Sequence, residues 1–343
     1  MDNSKHKVTI LVDLVMTDHK GVAYSYVDAF NMIDYNCNSI AFTVNPKFYS
    51  YSRLFPVVHN KYISYCQKEV IRRVKSVESQ LIFVIKGFYL LPETIEQIKQ
   101  MGKTIICFNP DDPFSNIAGS SNAFIKESIS HYDAYFIWHK KLIPKLEKAG
   151  CKNVFYLPFA ADTNLMMPER NYSSTVKKYA VGFIGNADKE RYEFIDNLSA
   201  QLKGWNEKKA VFGSNWKSIN GFDCYDIVYG NHFLDSMYNT KINLNILRKQ
   251  NKGSHNMRTF DIPATGGFML HEYSEEAADF FVEGVEAEFF RDAAECADKI
   301  KYYFKNDIQR EKIALAGYEK TFSAGYTYSN LVKVIVEQLK SIV

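Results

Sequence analysis

Arg258-Thr-Phe-Asp261 couples a guanidinium to a carboxylate three positions on, directly after the polar loop Asn251-Lys-Gly-Ser-His-Asn256. The stretch as far as Leu270 reads as a short helix, a glycine break and a buried strand. A loop rich in Gly, Ser and Asn that opens a helix presents unpaired backbone N–H groups, and the helix dipole adds roughly half a positive charge there. Ser254, His255 and Asn256 would then line an anion site suited to phosphate. Arg258 adds a planar fork of donors. One cation for phosphate and one carboxylate for sugar hydroxyls is the minimum for holding a nucleoside diphosphate. The alternative is a helix packed on a sheet, with Asp261 paired to Arg258 at i, i+3. Gly185-Asn186, followed by Arg191, reads either as a turn that lets phosphate approach or as an ordinary strand–helix turn.

A second chemical stretch is Asn109-Pro-Asp-Asp-Pro113. Asp111 and Asp112 are the candidate catalytic carboxylates, as a base or as groups that orient an acceptor hydroxyl. The alternative is a capped turn, since Asp-Pro and Asn-Pro favour turns. His139 is a further histidine of interest. Asn243 and Asn245 alternate on a strand and read as polar residues of the core edge. No His, Asp, Glu or Cys cluster has metal-ligand spacing, so neither a metal nor any cofactor is expected.

The elements that must position these residues alternate. Val8–Val12, Ile40–Val44, Leu81–Ile85, Thr104–Phe108, Ala134–Trp138 and Val154–Leu157 read as strands buried on both faces. Helices are expected over 21–35, 61–78 and 92–101, the last with Pro92 in its first turn. Asp162–Ser174 is polar, carries a proline and reads as a linker. The alternation then restarts with strands at Ala180–Ile184, Ala210–Phe212, Asp226–Val228, Lys241–Ile246 and Gly267–Leu270. The final segment, from a Ser329 cap to Val343, forms an apolar stripe at helical spacing. The fold class is α/β, with two Rossmann-like domains facing a cleft and ligands at the carboxyl ends of the strands. The expected boundaries are 1–165 plus 328–343 for the first domain and 175–327 for the second.

Composition bounds the partners. The 343 residues carry a net charge of +3 with no basic cluster, which gives no electrostatic case for nucleic acid. No polybasic run argues for a membrane, although a weak peripheral contact is compatible with that charge. No run of about 18 apolar residues and no leader-like segment occurs. The six cysteines form no C-x-x-C pair and read as buried thiols of a reducing compartment. A cytoplasmic location is expected.

The order of these segments resembles a glycosyltransferase of the GT-B fold, and more narrowly the family of the spore-maturation protein CgeB. The stretches that carry the resemblance are Lys86-Gly87, Asn109–Pro113, Leu157–Asp162, Phe183-Ile-Gly-Asn186 with Arg191, Arg258–Asp261 through Gly266-Gly267, and the tail from Phe289 to Tyr328. The resemblance implies metal-independent transfer of a sugar from a nucleotide-diphosphate sugar to a glycan, lipid-linked or protein acceptor, with retention of anomeric configuration. It implies Asp261 as the ribose carboxylate, five residues before Gly266. It makes Arg191 and Arg258 the diphosphate clamps and places the base near Gly230 and Phe233. Gly253 stands where the family has its first Glu. Two other readings stay open: a catalytically silent GT-B module, and a sugar-nucleotide epimerase on the same fold.

Overall fold

The computed structural model describes residues 6–13, 21–42, 45–117, 119–162 and 177–342. The expected linker lies outside the described residues from position 163 onward. Two compact units emerge, Met1–Pro158 with Ser329–Val343, and Phe159–Tyr328.

The first unit runs β1 (Lys7–Val12), α1 (Val22–Met32), β2 (Asn36–Ala41), α2 (Pro46–Ser52), α3 (Pro56–Ser76), β3 (Leu81–Ile85), α4 (Pro92–Gln100), β4 (Thr104–Asn109), α5 (Ala123–Ser128), β5 (Ala134–Ile137), α6 (Ile143–Lys148) and β6 (Val154–Tyr156). Its sheet is parallel, in the order β2-β1-β3-β4-β5-β6. Tyr26, Phe30, Phe83, Phe108 and Phe136 are fully buried in this unit. The chain steps from β1 to β2 on one side and then builds β3 onward on the other. The carboxyl ends of β1 and β3 therefore flank the switch point, where such sheets open a crevice.

The second unit runs β7 (Tyr179–Ile184), α7 (Lys189–Gln201), β8 (Lys209–Phe212), β9 (Asp223–Tyr225), α8 (Gly230–Tyr238), β10 (Thr240–Asn245), α9 (Arg258–Ala264), β11 (Met269–Glu272), α10 (Glu275–Phe280), β12 (Glu288–Phe290), α11 (Ala293–Lys305) and α12 (Asp307–Ser323). The last helix of the chain is α13 (Tyr328–Leu339). The second sheet is also parallel, in the order β12-β11-β10-β7-β8-β9. Its switch point lies between β7 and β10. Val181, Phe183, Leu198, Val211, Leu244, Leu270 and Phe290 belong to one buried cluster here.

Edge elements depart from the sequence reading. β2 begins at Asn36 rather than Ile40, because Asn36 and Asn38 sit on an exposed edge where polar residues are tolerated. β9 lies at Asp223–Tyr225 rather than Asp226–Val228; it is solvent-exposed along its length, so an apolar run was the wrong signal. α3 begins at Pro56, five residues before the expected start, and α2 and β12 were not expected at all. Ser329 lies inside α13 and does not cap it. Cys224 is exposed, whereas the other five thiols are buried.

Candidate donor site

β7 ends at Ile184, and the chain turns through Gly185-Asn186 into α7. Asp188 caps that helix by accepting the Arg191 N–H at 2.9 Å. The Arg191 side chain folds back across the sheet ends. Its Nε and Nη2 both donate to the Ile246 carbonyl, at 3.0 and 2.7 Å, and its guanidinium faces the Phe183 ring. The residue bridges the ends of β7 and β10 at the switch point. Burial pulls its pKa down to about 10, and the nearby charges of Arg248 and Arg258 push the same way. It stays protonated at neutral pH. Gly185 is tight: a Cβ there would meet the Phe183 ring at 2.8 Å and Arg191 Nη1 at 3.4 Å. Its carbonyl accepts the Trp216 Nε1–H, and Asn186 Oδ1 accepts the Ser214 N–H. The turn is a packed one, and its glycine makes room for Arg191.

Arg258 and Asp261 come together. Arg258 Nη1 donates to Asp261 Oδ2 at 2.7 Å. The guanidinium lies 4.2 Å from the centre of the Phe233 ring, close enough for a cation–π contact. The Arg258 Nε–H is buried and has no hydrogen-bond partner among the described residues. A buried donor left unmade carries the full cost of its desolvation, and an anion is the natural partner for it. Burial pushes the Asp261 carboxyl up to about 6, against the opposing pull of Arg258. Phe233 stands in the second turn of α8, whose first residue, Gly230, has φ +52.

One residue of the second unit escaped the sequence reading. Arg248 follows β10, is partly exposed, and lies 3.7 Å from Asp188. Its signal was its place, a cation just beyond the carboxyl end of a strand at the switch point. The charges of Arg248 and Arg258 both reach Arg191.

The loop 251–257 is not the open anion loop expected from its composition. Ser254 and His255 are completely buried. Ser254 Oγ donates to Glu276 Oε2 at 2.5 Å, and its own N–H is spent on the Asn251 carbonyl. His255 Nε2 accepts the Phe159 N–H at 3.1 Å, and its Nδ1 faces Ser254 and Glu276. Asn256 turns inward to Asn245, which donates to Thr259, whose hydroxyl shares a bond with His271 Nε2. Burial pulls the His271 pKa down to about 4, so it is neutral within this network. Among the described residues, the side chains of Ser254, His255 and Asn256 bond to neighbouring polar groups of the interior. α9 has seven residues and gains its charge character from Arg258, not from a long dipole. Asn243 is buried and donates to the Met237 carbonyl, a polar residue of the core edge as expected.

The first unit gathers a second set of polar residues at its own switch point. Lys86 follows β3 with φ +70, uncommon for a residue with a Cβ. Its ammonium pairs with Asp111 at 2.7 Å. Asp13, just beyond β1, accepts the Phe88 N–H at 3.0 Å. Burial pushes the Asp13 carboxyl up to about 6, although the Phe88 N–H and the Lys86 charge lower it. Sequence reading passed over Asp13 because nothing around it forms a motif. Asp112 accepts the Phe114 N–H at 2.8 Å, as a turn cap does. His139 is buried beside Trp138, with the two rings stacked.

Two six-stranded parallel sheets, each with polar residues collected at its switch point, define the GT-B class of fold. Residues 191–337 match the family described as glycosyl transferase-like. No curated protein matches the chain. Among solved structures, sucrose-phosphate synthase from Thermosynechococcus elongatus is similar over 98% of this chain and 99% of that chain, with a TM-score of 0.71 and 10% identity. HepE from Anabaena, in complex with UDP and glucose, gives a TM-score of 0.64 at 11% identity, over 97% and 99% of the two chains. A glycosyltransferase from Rickettsia africae gives 0.62 at 11% identity, over 99% of each. At these identities the likeness to solved structures is one of fold.

Proposed function

We propose that this chain is a glycosyltransferase that uses a nucleotide-diphosphate sugar, and that its second unit holds the donor around Arg258. The observation that carries the reading is the buried, unpartnered Arg258 Nε–H, stacked over Phe233 and beside Asp261. Arg258 and Arg248 take the diphosphate, while Arg191, held by the Ile246 carbonyl, supplies fixed positive charge behind them. Asp261 accepts the ribose hydroxyls, and Phe233 keeps the Arg258 fork in plane. The glycosyl transferase-like match from residue 191 onward supports this assignment, as does UDP in the complex of the HepE neighbour. The CgeB-like kind is supported by the order of motifs around Arg258–Asp261 and Gly266-Gly267.

In the reaction the bond between the anomeric carbon and the diphosphate oxygen breaks, and an acceptor hydroxyl oxygen forms the new glycosidic bond. The leaving diphosphate gains negative charge, and preorganised guanidinium groups stabilise it as it grows. That is the work a divalent metal does in other sites, so transfer proceeds without one. The acceptor proton needs a base. Asp13, with a carboxyl at about 6, is better matched to that task near neutral pH than Asp112, which caps its turn. Lys86, whose charge reaches Asp13, and its partner Asp111 are charged contacts for a polar acceptor.

A second reading, a nucleotide-binding module without turnover, is favoured by Gly253. Its φ of +82 puts it in a left-handed turn, a conformation that suits glycine and strains a residue with a side chain. A screen of nucleotide-sugars for slow hydrolysis in EDTA, read by release of the diphosphate, separates the two. Release from at least one donor is the expected result. Tight nucleotide binding with no release from any donor would favour the silent module.

A further inference from the structure

α2 and the start of α3 form a closed hairpin whose outer tip is apolar. Leu54-Phe-Pro-Val-Val58 is five consecutive exposed apolar residues, with Leu54 and Val57 about 70% exposed, at 71% and 70%. Phe48, Tyr51 and Tyr65 extend the patch. A run of this kind is not what a water-facing surface tolerates without a function. The hairpin is well built inside. Asn45 caps α2 by accepting the Lys47 and Phe48 N–H groups, Ser52 Oγ lies 3.0 Å from His59 Nδ1, and the rings of Phe48 and Tyr62 meet edge-on. The first buried side chain of α3 is Ile63. Its first turn, Pro56 to Val58, is exposed throughout.

Along the chain, the charge of this segment has one sign, and Glu93 of α4 is the acid that lines a cavity with His59, Asn60 and Lys68. No Asp or Glu occurs between Asp34 and Glu69, while Lys47, Arg53, Lys61 and Lys68 are all exposed. Four local positive charges exceed the net charge of the whole chain, +3. Glu69, the next acid, is held by Arg72 and Arg73 and so offsets little. No helix among the described residues is long and apolar enough to cross a membrane. An apolar tip followed and preceded in the chain by lysine and arginine is the surface that lies in a bilayer interface, with its apolar residues below the headgroups and its cations among anionic lipids.

We propose that the α2–α3 hairpin seats this protein on anionic membrane surfaces, a contact that does not depend on the donor-site assignment. The test is co-sedimentation of the full chain with phosphatidylcholine vesicles, with and without phosphatidylglycerol. Binding should require the anionic lipid and weaken as salt rises. Each cation removed should weaken partition about fivefold, and each reversed about thirtyfold, at roughly 1 kcal/mol per charge. Leu54→Ser with Val57→Ser should abolish binding without lowering the melting temperature, since neither side chain is packed. Lys47→Glu with Lys61→Glu should do the same by a separate route. Failure to bind anionic vesicles, or binding that survives both double variants, would overturn the proposal. So would a dimer in solution that Leu54→Ser and Val57→Ser convert to a monomer, because the patch would then be covered by a second copy.

Discussion

Arg258 Nη1 lies 2.7 Å from Asp261 Oδ2, and the same guanidinium lies 4.2 Å from the centre of the Phe233 ring. One arginine thus has a carboxylate at one edge, an aromatic face beneath it and an unmade buried donor at Nε. A salt bridge formed only for stability would have no use for the third feature. The arrangement fixes the plane and direction of a cation that still has bonding capacity.

Arg258→Lys keeps the charge and loses the fork and the stacking. A hydrogen bond to a charged group is worth about 1.5–3 kcal/mol, so nucleoside diphosphate affinity should fall ten- to hundredfold. Phe233→Leu should weaken binding by a smaller factor, because the plane is lost and the cation stays. Calorimetric titration of both variants checks this. Unchanged affinity in Arg258→Lys would return the residue to a structural role.

Asp261 sets a pH dependence. Its carboxyl sits at about 6 in the folded chain against the ordinary 3.8. Between those values the native state binds the proton that the unfolded state releases, so stability falls as pH rises through the window. The span amounts to about 3 kcal/mol. Asp261→Asn removes the slope, so the difference in unfolding free energy between the two proteins should change across that range and be flat above pH 6. Donor affinity should weaken below pH 6 in the parent protein, as the carboxylate is protonated, and should not do so in the variant. Denaturation and binding measured over the same pH series test both signs.

The two candidate carboxylates of the first unit should separate cleanly. Asp13→Asn should cut transfer by ~10²–10⁴-fold and leave nucleotide binding intact, as loss of a general base would. Asp112→Ala removes a turn cap worth about 1 kcal/mol and should show mainly in the melting temperature. The experiment is kcat and Tm on the same preparations. Near-parental transfer in Asp13→Asn would remove it as the base.

The strands buried on both faces were legible in the sequence because a parallel sheet covered by helices demands continuous apolar runs, as at Val8–Val12 and Leu81–Ile85. The edge strands β2 and β9 were not, since exposure frees their composition. Arg191, Arg258 and Asp261 could be singled out because charge stood beside turns that follow strands. The loop Ser254–Asn256 misled for the converse reason. Polar residues that bond one another in the interior have the same composition as polar residues that await a ligand. Asp13 and Arg248 owe their interest to the strand order, which puts the ends of β1 and β3, and of β7 and β10, side by side. Strand order is a property of the tertiary fold and leaves no local motif.

His255→Ala tests that distinction. Removal strands the Phe159 N–H and takes a neighbour from Glu276, at a cost of about 1–3 kcal/mol. The melting temperature should drop while nucleoside diphosphate affinity stays within a factor of two or so, a few tenths of a kcal/mol. A variant of unchanged stability that no longer binds nucleotide would place His255 at the phosphate after all.

The most direct test of the donor site is titration of UDP, GDP, ADP, CDP and dTDP into the intact protein in EDTA, followed by calorimetry and by melting temperature. The account predicts that at least one of them binds, that its affinity survives chelation, and that a hundredfold excess over Kd stabilises the fold by about 2.7 kcal/mol. Failure of all five to give heat or to move the melting temperature at millimolar concentration would contradict the assignment of Arg258 and Asp261 to a nucleotide.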